Sequence, residues 1–100
     1  MSIYNRAEIQ QSIIEQLSLE EITLGQAILT IRTQLYKLTQ ADYAKMCHVS
    51  EKTLREVEKG NTDPRLSIIE RLLHPGGMAL TVRAKTHRVL SMQEQVKNKL

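Results

Sequence analysis

Residues 38–60 read LTQADYAKMCHVSEKTLREVEKG. Two short helical segments stand in this stretch, one capped by Thr39 and the other by Ser50. A hydroxyl placed just before a helical run accepts hydrogen bonds from the first, otherwise unpaired, backbone N–H groups. Between the segments, Cys47-His48-Val49 leaves room only for a tight turn. Apolar or small residues fall at Tyr43, Ala44, Cys47, Val49, Leu54 and Val57. Two helices that cross steeply need a small residue where their backbones approach, which suits Ala44. They also need anchors beyond the turn, which suits Leu54 and Val57. Gly60 stops the second segment, because glycine adopts the left-handed terminating conformation without a Cβ clash.

Projecting the second segment at about 100° per residue, with Leu54 and Val57 inward, turns Lys52, Glu56 and Lys59 outward. Thr53 and Arg55 lie on opposite flanks, and Ser50 and Glu51 stand at the N-terminus, where backbone N–H groups favour phosphate. Lys and Arg donate to guanine O6 and N7, and Ser and Thr read either partner. Glu56 accepts from cytosine N4 or orients Lys52 or Lys59, four and three residues away. A second helix held out in this way by a first is the helix-turn-helix pattern, which offers that helix to the DNA major groove. An ordinary solvated face would explain the same charges on an isolated helix; the preceding helix and turn favour DNA.

Working outward, Asn5 with Glu8 gives a cap-and-box start, and Ile9, Ile13 and Leu17 recur on one face. Thr23 with Gln26 repeats the signature ahead of Leu24, Ile28, Ile31 and Leu35. Downstream, Asp63-Pro64 opens a further helix with Leu66, Ile69, Leu72 and Leu73 as its stripe, and His74-Pro75-Gly76-Gly77 ends it. After Gly77 the period changes: Met78, Leu80 and Val82 alternate with Ala79, Thr81 and Arg83, a strand pattern. The chain offers no second strand. This one needs the same strand from a second copy, or a place as an extended arm along its own helices. A two-stranded ribbon across a homodimer axis is the favoured reading. Residues 85–100, KTHRVLSMQEQVKNKL, form a basic tail that reads as a short helix or a frayed end.

The expected fold is all-α: a five-helix helix-turn-helix domain over 23–77, preceded by a helical extension over 1–22. A dimerisation strand over 78–84 and the tail over 85–100 complete it. The 100 residues suffice for one domain, and 41 % hydrophobic with 25 % charged residues is a globular balance. Phe and Trp are absent, so the core must be Leu, Ile and Val. Net charge is +3, with residues 1–40 at −1 and residues 41–100 at +4, so the basic half holds the motif. Short apolar runs exclude a membrane span, and the N-terminus lacks a signal-peptide layout, so a cytoplasmic location is expected. One cysteine excludes an internal disulfide, and Cys47, on the inward face, reads as a packing residue. His48, His74 and His87 lack metal-ligand spacing, and neither a phosphate loop nor an acid pair is present. No enzyme and no cofactor are expected.

Residues 24–84 resemble the lambda-repressor/Cro, or XRE, family of helix-turn-helix proteins. The markers are Thr39-Gln40, Ala44, Val49-Ser50, Thr53-Leu54 and Glu58-Lys59-Gly60. The run NTDPRLSIIERLLHPGGMALTVRAK, with Pro-x-Leu before a helix, a Pro-Gly break and then a strand, resembles HipB-type antitoxins. The resemblance implies that Gln40 binds phosphate and braces the recognition helix. It places Ser50, Glu51, Lys52, Thr53, Arg55 and Glu56 at recognition positions and Lys59 and Asn61 on the backbone-contacting loop. It matches Glu58 to a glutamate that pairs with an arginine, here Arg32. Two departures stand out. His48 occupies a turn position usually taken by glycine and must accept positive φ. Residues 33–38 make the link one residue longer than the commonest spacing, which leaves the register of Arg32 open. The implied function is a homodimeric repressor on an inverted-repeat operator, also serving as antitoxin to a HipA-like kinase. A stand-alone regulator and a protein-binding adaptor are the alternatives.

Overall fold

The structure, a computed structural model, describes residues 4–85. Apart from Lys85, the basic tail lies outside the described residues. The chain forms α1 (Tyr4–Ser18), α2 (Leu24–Thr30), α3 (Gln40–Met46), α4 (Glu51–Lys59) and α5 (Leu66–Leu73). A π-helical stretch, Ile31–Tyr36, continues α2, and a 3-10 turn, His74–Gly76, succeeds α5. Among the described residues all regular structure is helical. The five α-helices correspond to the five helical segments read from the sequence, with α1 as the extension and the other four within 23–77.

Local sequence sets several of the helix ends. Thr23 Oγ1 accepts from the Gln26 N–H (3.1 Å) while Gln26 Oε1 accepts from the Thr23 N–H (2.8 Å), a complete capping box. Thr39 Oγ1 caps α3 through the Asp42 N–H at 3.1 Å, and Ser50 Oγ caps α4 through the Thr53 N–H at 3.1 Å. Gly60 ends α4 at φ 75°. Two starts differ from the sequence expectation. α1 is already helical at Tyr4, so Asn5 sits within its first turn. Tertiary contacts fix that end: Arg6 Nη2 donates to the Tyr36 hydroxyl (3.0 Å) and the Pro75 carbonyl (3.2 Å), and Gln10 Nε2 to the Gly76 carbonyl (2.9 Å). α5 begins at Leu66, beyond Asp63-Pro64, with Arg65 extended before it and no side-chain cap. Docking of Ile69, Leu72 and Leu73 sets that start.

One core unites the helices. Ile13 of α1, Ala27 and Ile28 of α2, Ile31, Tyr43 and Ala44 of α3, Leu54 and Val57 of α4, and Ile69, Leu72 and Leu73 of α5 are buried together, with Cys47 and Val49 from the turn. Tyr43 supplies the aromatic bulk that the absence of Phe and Trp would otherwise deny. Its ring is fully buried, and its hydroxyl donates to the Leu72 carbonyl at 2.6 Å, so the polar atom is satisfied. At Gly25, α2 backs onto the end of α4 so closely that an added methyl would overlap the Val57 carbonyl oxygen.

Residues 78–85 run on without a strand ladder among the described residues. Met78 and Leu80 turn inward and pack against the core, whereas Val82 is 93 % exposed. Arg83 Nη2 reaches the Ser18 carbonyl at 3.1 Å and Glu20 Oε1 at 3.8 Å, which lays this arm beside the end of α1. Two of the three residues assigned to a dimer ribbon are thus held by their own chain. No helix is long and apolar enough to cross a membrane among the described residues.

Candidate nucleic-acid interface

Beside its buried Leu54 and Val57, one carboxylate ties α4 to its neighbours. Glu58, on the inward side near its C-terminal end, has a side chain only 2 % exposed. Arg32 grips it in fork geometry, Nε to Oε2 at 2.7 Å and Nη2 to Oε1 at 3.0 Å. Gln40 Nε2, from the first residue of α3, donates to the same Oε1 at 2.9 Å. Arg32 Nη1 also donates to the Leu38 carbonyl at 3.0 Å. The hydrogen bond to Glu58, above all, pushes the Arg32 guanidinium further up from its ordinary value. Three segments, the π-helical stretch, α3 and α4, converge on one buried side chain.

The π-helical stretch explains how Arg32 keeps this register. Its i→i+5 hydrogen-bonded ring contains one residue more than an α-turn, so an inserted residue is absorbed within the helix. Lys37 then closes it in the left-handed conformation at φ 54°, its N–H bonded to the Arg32 carbonyl. The extra residue in 33–38 is therefore spent as helical winding, and Arg32 still faces Glu58.

The turn between α3 and α4 holds His48 at φ 58°, the left-handed geometry its place in the turn demands. Arg71 Nη1 of α5 donates to the His48 carbonyl at 3.2 Å. Sequence reasoning missed that brace; a contact across 23 residues leaves no local signal. Cys47 is buried beside the turn, and burial pushes its thiol up, away from the reactive thiolate.

On the outer side of α4 the structure brings Ser50, Glu51, Lys52, Thr53, Arg55, Glu56 and Lys59 together. Ser50, Glu51, Lys52, Arg55 and Lys59 are exposed, and Thr53 and Glu56 are half-buried. Ser50 Oγ also donates to Thr53 Oγ1 at 2.8 Å, and Arg55 Nη2 lies 3.5 Å from Glu51 Oε2. Asn61 is exposed just past Gly60, its N–H bonded to the Glu56 carbonyl at 3.1 Å. Gln40 is half-buried, its amide engaged with Glu58.

A family model described as Helix-turn-helix matches residues 28–78, just over half the chain. No curated protein and no solved structure gives a significant match. The matched segment runs from within α2 to Met78 and contains α3, the His48 turn, α4 and α5. With α3 and α4 tied together through Glu58 and a charged outer face presented on α4, the chain belongs to the helix-turn-helix family of lambda-repressor/Cro, or XRE, type, a family of DNA-binding transcriptional regulators.

Proposed function

We propose that the protein is a sequence-specific repressor that binds an inverted-repeat operator as a homodimer. The observation that carries this reading is the row Glu51, Lys52, Arg55 and Lys59 standing exposed on a helix whose opposite side is locked through Glu58. Lys52, Thr53, Arg55 and Glu56 read bases, with Ser50 and Glu51 at the helix start. Gln40, Lys59 and Asn61 set the register on phosphates. Two recognition helices in successive major grooves require half-sites ~34 Å apart. If six to ten phosphates are neutralised per dimer, log affinity falls with log salt at a slope of about −5 to −9.

The homodimer reading rests on the extended segment after Gly77, with Val82 exposed and no ladder partner among the described residues. Since Leu80 packs inward, Val82→Asp is the cleaner probe of this interface than Leu80→Asp. A monomer on sedimentation supports the ribbon, and an intact dimer moves the interface elsewhere.

The antitoxin role, with a HipA-like kinase as partner, is supported by the resemblance of residues 61–85 and by the presence of α1 ahead of the matched segment. Co-purification of the tagged chain with the products of neighbouring genes, followed by promoter binding across a salt series, tests both layers. A co-eluting kinase with salt-steep promoter binding supports the antitoxin-repressor. Promoter binding without a partner leaves a stand-alone regulator, and a partner without DNA binding overturns the repressor reading in favour of an adaptor.

A further inference from the structure

We infer that Glu51 and Arg55 act as one reading unit, and that each operator half-site presents a cytosine–guanine pair to the first turn of α4. The inference rests on the reading that α4 enters the major groove. The two side chains lie one turn apart, 3.5 Å from carboxylate to guanidinium, with Arg55 44 % and Glu51 49 % exposed. The order, acid before base at i and i+4, is the one that helix geometry and the helix dipole both favour. So exposed a pair does little for folding, which leaves it available to a ligand.

The chemistry of the pair narrows what it can read. An unpaired carboxylate at this place would face phosphates of its own sign, and Arg55 offsets that charge. What remains is an acceptor beside a planar fork of donors. The fork needs two neighbouring acceptors on one base, and in the major groove guanine offers them as O6 and N7. Adenine sets its N6 amino donor beside N7, against the fork, and thymine sets its methyl group beside O4. Glu51 in turn needs an amino donor, and cytosine N4 supplies one next to guanine O6 in the same base pair. Lys52, without a carboxylate partner among the ion pairs of α4, donates as a point charge and selects less sharply.

Selection from a randomised duplex library with the full-length chain tests this, with affinity then measured on the enriched duplex carrying 7-deazaguanine at the matched position. Wild type is expected to enrich an inverted repeat with a cytosine–guanine pair at the same place in each half. Loss of guanine N7 then weakens wild type by about 5- to 140-fold and leaves Arg55→Ala unchanged. Glu51→Ala is expected to loosen the guanine requirement, because Arg55 loses the carboxylate that holds its fork and cytosine N4 loses its acceptor, so that other base pairs enter at that place. Unchanged circular dichroism in both variants separates these effects from misfolding. A motif lacking that pair, or one kept intact by both variants, overturns the inference while DNA binding stands. No enriched motif at all overturns both.

Discussion

Replacing Arg32 with alanine isolates the interaction that orients α4. The Glu58 carboxylate would keep one neutral donor, Gln40 at 2.9 Å, and lose two charged ones at 2.7 and 3.0 Å. With its side chain 2 % exposed, the carboxylate depends on these partners rather than on solvent. The Leu38 carbonyl would lose its partner as well. Breaking a buried pair from one side costs roughly 3–5 kcal/mol, because an uncompensated charge stays behind. A domain of this size is stable by about 5–15 kcal/mol, so the loss takes a large share of the total. At about 4–8 °C per kcal/mol the melting temperature falls by roughly 12–40 °C. Urea titration monitored by circular dichroism gives the change directly, with the slope against urea unchanged if only stability is affected. High salt should not lessen the loss, since a buried pair is poorly screened. The companion variant is Arg32→Met with Glu58→Leu, which removes both charges while filling the space and should recover most of the loss. A loss below ~1 kcal/mol for Arg32→Ala, against the cost expected for a stranded buried charge, would refute the reasoning. So would a double variant no more stable than the single one.

The same packing sets three further outcomes. His48→Gly should raise stability by about 0.5–1 kcal/mol, because relief of left-handed strain outweighs the added freedom of the unfolded chain. The carbonyl held by Arg71 is kept, so a lower urea midpoint would contradict the strain argument. Gly25→Ala should cost at least about 1–3 kcal/mol, as the methyl meets backbone at Val57 and no side chain can swing aside; thermal unfolding within experimental error of wild type would disprove it. Stability should also fall as the solution turns alkaline. Burial raises both the Tyr43 phenol and the Cys47 thiol in the folded state. As pH passes the ordinary thiol and phenol values, about 8.5 and 10, the unfolded chain releases protons that the folded chain keeps, and folding weakens. Tyr43→Phe is expected to be less stable at neutral pH, having lost the bond to Leu72, yet to lose less on going alkaline. An alkaline limb as steep as that of wild type would count against the assignment.

The helices are legible where a side chain acts on its own neighbourhood. Thr23, Thr39, Ser50 and Gly60 set their helix ends through short-range contacts, and periodicity finds the inward faces of α4 and α5. The features that escape it are decided at long range. The start of α1 depends on Tyr36, Pro75 and Gly76, and no pattern within residues 4–18 encodes them. The arm after Gly77 alternates as a strand would, yet the same alternation also lets Met78 and Leu80 settle on the core. Alternation states which residues share a face but not what covers that face. The link before α3 departs by one residue from the commonest spacing. Winding that residue into a π-turn needs no sequence signature, only an Arg32–Glu58 contact strong enough to hold the register.

The same geometry separates the residues that mark the family from those that would read an operator. Glu58 Oε1 accepts from both Arg32 and Gln40, so the crossing of α3 and α4 depends on side chains that face one another. A change at any of the three disturbs the fold before it disturbs recognition. Gln40→Ala would also remove the brace, so a loss of DNA affinity in that variant would not by itself measure a phosphate contact. The exposed side chains Glu51, Lys52, Arg55 and Lys59 carry no such burden. They can be exchanged with small effect on stability, since exposed pairs such as Glu51 with Arg55 contribute little to it. Folding constrains one side of α4, and base sequence would constrain the other. A fold is legible from the first side because its physics is internal to the chain, whereas the second side has meaning only against the donors and acceptors of a groove.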